Sequence, residues 1–177
     1  MESRRKRKRS QITKWVCYAL LMLLCTVLQT LPGLFRLGEA KPLWLLPLAL
    51  AVAVEEGEFA GGIFGAVCGL MWDYTAGRTA GLLAFELLLL CFLLSAVMQL
   101  YFKTSAANVV LLETAAVLLV LSLDWLFFYY MPGYSWALSR WLTFVLPSAV
   151  MTLVPSLVLF SLVRRIYNEF KIDNGVI

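Results

Sequence analysis

The stretch GEFAGGIFGAVCGLMWD, Gly57 to Asp73, decides how the chain is read. It sets Gly57, Gly61, Gly65 and Gly69 four residues apart, and the next step of that register is Asp73. Four residues advance a helix by about 400°, so the glycines form a slowly turning stripe over roughly a third of the circumference. In an apolar helix such a stripe lets another backbone approach closely, and packing of that kind drives helix association in lipid. The approaching helix can belong to the same bundle or to a partner, and the stripe alone does not choose. Asp73, flanked by Trp72 and Tyr74, falls where a membrane helix meets water.

The rest of the composition agrees with a membrane setting. Of 177 residues, 62% are hydrophobic and only 15% charged, and the mean hydropathy is +0.83. A soluble domain needs far more charge to cover its surface, so the chain reads as an integral membrane protein with no room for a separate soluble domain. The net charge of +4 matters through its distribution, because six of the fifteen basic residues form the run Arg4 to Arg9. Beside a hydrophobic span that run is a cytoplasmic topology determinant rather than a nucleic-acid patch, and it is suited to contact with anionic lipid heads. Cys17, Cys25, Cys68 and Cys91 all lie in apolar segments without a CxxC pair, so they are read as small buried hydrophobes, not disulfides or zinc ligands. The chain has no histidine, which removes the usual general base and the commonest metal ligand. No metal or cofactor is expected.

Six spans are expected, at about residues 14–31, 42–54, 58–72, 81–102, 106–130 and 137–163. The first follows a basic segment as a signal peptide would, but PGLFRLGEAK after Leu31 offers no small-x-small cleavage site, so an uncleaved span is expected. The second, with 13 residues, covers only about 20 Å of a ~30 Å hydrocarbon core. With the short third span it forms either a tight hairpin in a thin region or a broken pair beside a cavity. Glu55, Glu56 and Glu58 make an acidic turn between them. The chain thus divides into a basic N-terminal tail (1–13), a six-span membrane domain (14–163) and a C-terminal tail (164–177). With both termini inside, eleven basic residues fall on the cytoplasmic side and four (Arg36, Lys41, Arg78, Arg140) outside, which supports that orientation.

Charge inside the spans marks the candidate site. Glu86, Glu113 and Asp124 fall within apolar segments, where an ionised side chain costs about 3 kcal/mol. Glu113 and Asp124 are eleven residues apart, which places them about 20° from one another on one helix face. Asp73, Arg78, Glu86, Asp124 and Arg140 are expected to form a charged cluster near the outer surface, and Lys103 with Glu113 a second pairing nearer the cytoplasm. Such groups orient helices by ion pairs, bind a partner, or couple a proton or ion. No HExxH, GxSxG or P-loop accompanies them, and nothing supplies an energy source for transport.

The block Pro42-Leu-Trp-Leu-Leu, the polar break at 55–58, Gly61 to Gly65, Gly69-Leu-Met-Trp-Asp73 and Gly81-Leu-Leu resembles the MreD family of rod shape-determining membrane proteins. The likeness is specific over residues 42–84 and compositional elsewhere; the basic N-terminal run and the EEGE turn depart from the family pattern. It implies a non-enzymatic bundle shaped like the substrate-binding S-components of energy-coupling-factor vitamin transporters. It also implies partnership with MreC, and with RodA, a class B penicillin-binding protein and MreB, in the bacterial cytoplasmic membrane. Pro42, which leads the second span, then joins the four glycines as a helix-packing or partner interface. The shared shape supplies an alternative function, a vitamin-binding transporter subunit with an outward pocket near Asp73, Arg78, Glu86 and Asp124.

Overall fold

A computed structural model describes residues 2–31, 38, 40–77, 81–101 and 106–170, without the side chains of 2–8, 101, 106 and 107. The described residues are helical throughout their ordered elements: α1 (Glu2–Thr30), α2 (Leu45–Glu56), α3 (Glu58–Ala76), α4 (Leu82–Tyr101), α5 (Ala106–Trp125), α6 (Ala137–Arg140) and α7 (Leu146–Phe170). A turn of wider π-helix extends α5 over Leu126–Tyr130, and another, Trp141–Val145, joins α6 to α7. Among the described residues four stretches are long and apolar enough to cross a membrane: Arg9–Thr30, Leu82–Leu100, Asn108–Tyr130 and Ala137–Phe170. The protein is therefore an all-helical, multi-pass membrane protein. Helix α1 starts at Glu2, so the basic run continues the backbone of the first span instead of standing apart from it.

Two of the six expected spans differ from the other four, and the reason is physical. Helix α2 has 12 residues, about 18 Å at the helical rise, and is shorter than the hydrocarbon core. It touches α1, α3, α4, α5 and α7, and every side chain from Leu45 to Val54 is buried. A helix apolar on all sides belongs at the centre of a bundle, so α2 has no lipid-facing stripe. In α3 the glycines, Glu58 and Asp73 dilute the apolar character, and its burial follows one face. The two helices join at Gly57, whose φ of 93° is strained for any residue with a Cβ.

The ends of α2 are closed by its neighbours. Trp44 provides no side-chain cap; instead Gln29 Oε1 on α1 accepts from the Trp44 and Leu45 amides, each at 3.1 Å. Thr152 Oγ1 on α7 accepts from the Leu43 amide at 3.1 Å. These amides would otherwise lack partners at membrane depth. At the other end Lys14 Nζ on α1 lies 2.6 Å from Glu56 Oε2, with both side chains over nine-tenths buried. Tyr18 donates to Glu56 Oε1 at 2.8 Å. Arg164 on α7 is 4.0 Å from Glu55, and Lys14 also stands 5.4 Å from the Tyr167 ring centre. The acidic turn therefore shares a rim with the start of α1 and the end of α7.

Removing one partner of a buried ion pair leaves the other charge uncompensated. Lys14→Ala should lower unfolding stability by about 3–5 kcal/mol, read as an earlier thermal transition in detergent. Replacing both partners, K14M with E56L, should restore most of the loss.

Candidate functional site

The glycine stripe is used inside the bundle. A methyl group built on Gly61 would lie 2.3 Å from Ala53 Cα on α2. One on Gly65 would lie 2.6 Å from Cys91 Sγ and 2.9 Å from the Leu87 carbonyl, and one on Gly69 would lie 2.5 Å from Ala84 Cα, all on α4. A methyl on Gly57, at the turn, would lie 3.4 Å from Gln99 Nε2 of α4. The stripe thus lets α3 settle against α2 first and α4 afterwards, backbone to backbone. Pro42 is buried one residue before the Leu43–Thr152 hydrogen bond, at the entry to α2. The opposite face of α3 carries Phe59, Ile63, Val67, Leu70 and Tyr74, all exposed. Helix α1 closes over the start of α3 through Trp15 and Tyr18, whose ring centres are both 6.2 Å from that of Phe64.

The charged residues lie at the rim opposite the acidic turn, because the helices alternate in direction. Asp73, 2% exposed, ends the stripe and its Oδ2 accepts from the Gly81 amide at 2.8 Å. It ties the last turn of α3 to the first of α4 across the loop. Arg78 lies in that loop, outside the described residues; Lys103, between α4 and α5, is outside them too. Glu86, one turn into α4, lines an otherwise apolar groove of about 460 Å³ between α4 and α5, with Phe85, Leu93, Leu119 and Leu123. Asp124 is buried near the end of α5. Arg140 on α6 lies over three rings, with centres 4.9 Å away for Tyr129, 5.3 Å for Phe144 and 5.8 Å for Trp136. Beside it, Trp125 Nε1 donates to the Ala137 carbonyl at 2.7 Å and fastens the 131–136 turn. Glu113, which the sequence suggested for Lys103, is fully buried and accepts from Ser156 of α7.

Sequence reasoning did not single out Gln29, Thr152, Ser156 or the Lys14–Glu56 pair. The available signal was their polarity: each is a polar residue in or beside an apolar span, and such groups must find partners inside the protein. Which partners they find depends on helix arrangement. Among the described residues no group of three or more His, Cys, Asp or Glu is placed to hold a metal.

Close-packed helices, polar groups spent on joining them, and two charged rims define a multi-pass helical membrane protein whose legible features are structural ones. Compared with models of known families, residues 9–170 match MreD, described as rod shape-determining protein MreD. The chain belongs to the MreD family, and is thus a rod shape-determining membrane protein. No curated protein and no solved structure matched it.

The glycines differ in how much room they leave. Gly61→Ala and Gly69→Ala drive a methyl into neighbouring backbone and should sharply reduce the folded protein recovered from membranes. Gly62→Ala meets only ordinary contacts, the nearest at 3.5 Å, and should be recovered at wild-type levels. Asp73→Ala leaves the Gly81 amide without its acceptor and should cost about 1–3 kcal/mol in thermal unfolding, whereas Asp73→Asn keeps an acceptor and should cost less.

Proposed function

We propose that this protein is a non-enzymatic scaffold of the bacterial cell-wall elongation complex, which maintains rod shape by binding MreC and wall-synthesis partners. The match to the MreD family over residues 9–170 carries this reading. RodA, a class B penicillin-binding protein and cytoplasmic MreB complete the set of proposed partners. The protein lies in the cytoplasmic membrane with both termini inside. Arg9, Lys14, Arg164 and Arg165 gather on the rim where α1 begins and α7 ends, and the preference for basic residues on the cytoplasmic side supports that orientation.

On this reading Gly61, Gly65 and Gly69 hold the scaffold together, and partners meet the surfaces that the packing leaves open. MreC docks near the outer end of α3, where Asp73 accepts from the Gly81 amide and the exposed stripe from Phe59 to Tyr74 ends. The vitamin-binding S-component alternative, and the likeness in shape to that class, find no support in the comparisons.

Purification from rod-shaped cells with mass spectrometry of the eluate tests the proposal. MreC and wall-synthesis proteins should copurify with the tagged chain. Recovery of an ATPase module and a retained vitamin, with no MreC, would overturn it.

A further inference from the structure

Glu113 is among the most deeply buried residues in the protein, and its role as a helix contact leaves its charge unexplained. It sits on α5, 0% exposed, with one polar contact: the Ser156 hydroxyl of α7 donates to Oε2, while Oε1 is buried without a hydrogen-bond partner. Among the described residues the surrounding elements supply no countercharge. Helix α2 offers only apolar side chains from Leu45 to Val54. The face of α7 that carries Ser156 also carries Ser148 and Thr152, all buried and none a cation, and the Ser148 hydroxyl also lacks a partner. From α4 the Cys91 thiol, also buried, stands close enough to Glu113 to interact with it electrostatically. Arg164 and Arg165 come two turns beyond Ser156 and are exposed at the end of α7. Lys103 stands ten residues before Glu113 and lies outside the described residues.

An ionised carboxylate held by one hydroxyl in an apolar interior bears nearly its whole desolvation cost. A neutral carboxylic acid does not, and it has both a donor and an acceptor to share with a serine hydroxyl. Pro155 precedes Ser156 and has no amide hydrogen to give the Met151 carbonyl, so the helical ladder of α7 is already interrupted where the two side chains meet.

We propose that Glu113 is an intramembrane proton-binding site: it holds a proton as a neutral carboxylic acid, and that acid and the Ser156 hydroxyl join α5 to α7. The ligand is a proton, and the pair is a neutral joint in the hydrocarbon layer.

Dicyclohexylcarbodiimide reports this state, because it reacts with protonated carboxyls in apolar surroundings. The acid's O–H bond breaks, its oxygen bonds to the carbodiimide carbon and its proton passes to one nitrogen. Migration of the acyl group to nitrogen then leaves a stable N-acylurea, with no leaving group. The full-length protein in phosphatidylcholine vesicles at neutral pH would be treated with the reagent and mapped by peptide mass spectrometry. Water-exposed carboxylates, ionised at that pH, serve as internal controls. The adduct should fall on the Glu113 peptide and be lost in Glu113→Gln, which should melt close to the wild type because it keeps the shape and neutrality of the acid. Infrared difference spectra between wild type and E113Q should show the carbonyl band of a protonated acid. An unlabelled Glu113 peptide in the folded wild type, or a carboxylate band in place of the acid band, would overturn the proposal. The wild-type peptide map decides the matter even if E113Q does not fold.

Discussion

A helix too short to cross the bilayer has to have its ends closed by something other than water, and α2 is such a helix. Its 12 residues are enclosed by five other helices. The amides entering it are taken by Gln29 from α1 and Thr152 from α7. Its far end is taken by Lys14 and Tyr18 from α1, with Arg164 of α7 beside Glu55. Backbone and carboxylate groups at these depths have no solvent to fall back on. The first and last helices are therefore held in place by the needs of the second. Breaking either closure exposes polar groups that nothing else can serve.

The remaining helices complete the enclosure by different means. Along its glycine stripe helix α3 has no side-chain bulk, so it reaches α2 at Ala53 and α4 at Ala84 and Leu87 through near-backbone contact. Dispersion between closely opposed backbones replaces the hydrophobic effect, which has little force among helices already in lipid. Helix α4 leaves a groove against α5, and α5 is held from the other side by α7 through Glu113 and Ser156. Polar contacts therefore bind α7 to α2 and α5, while steric fit binds α3 to its neighbours.

The two rims have different chemistry, as a membrane protein with distinct aqueous faces requires. One collects the basic start of α1, the EEGE turn and the arginines ending α7, and its charges pair across helices. The other collects Asp73, Glu86, Asp124 and Arg140 with Trp125, Tyr129, Tyr130, Tyr134 and Trp136, and there Arg140 is stacked on rings. Aromatic side chains at such a boundary keep an apolar body in lipid and a polar edge in water.

Local chemistry determined a good deal of this protein. Hydropathy along the chain marked six helices and showed that the second was too short. The four-residue glycine register marked α3 as a helix of close approach, and the block around it carried the family resemblance. These are properties of neighbouring residues, and a helix turns them into a face without help from the rest of the chain. Tertiary structure decided which helices meet that face: α2 at Gly61, and α4 at Gly65 and Gly69. It also gave Gln29 to amides 15 and 16 residues away, Thr152 to one 109 away, Glu56 to Lys14 at a separation of 42, and Glu113 to Ser156 at 43. An apolar span shows that its polar residue must find a partner, but every helix of the bundle is a candidate to supply it. Only packing around α2 makes the choice.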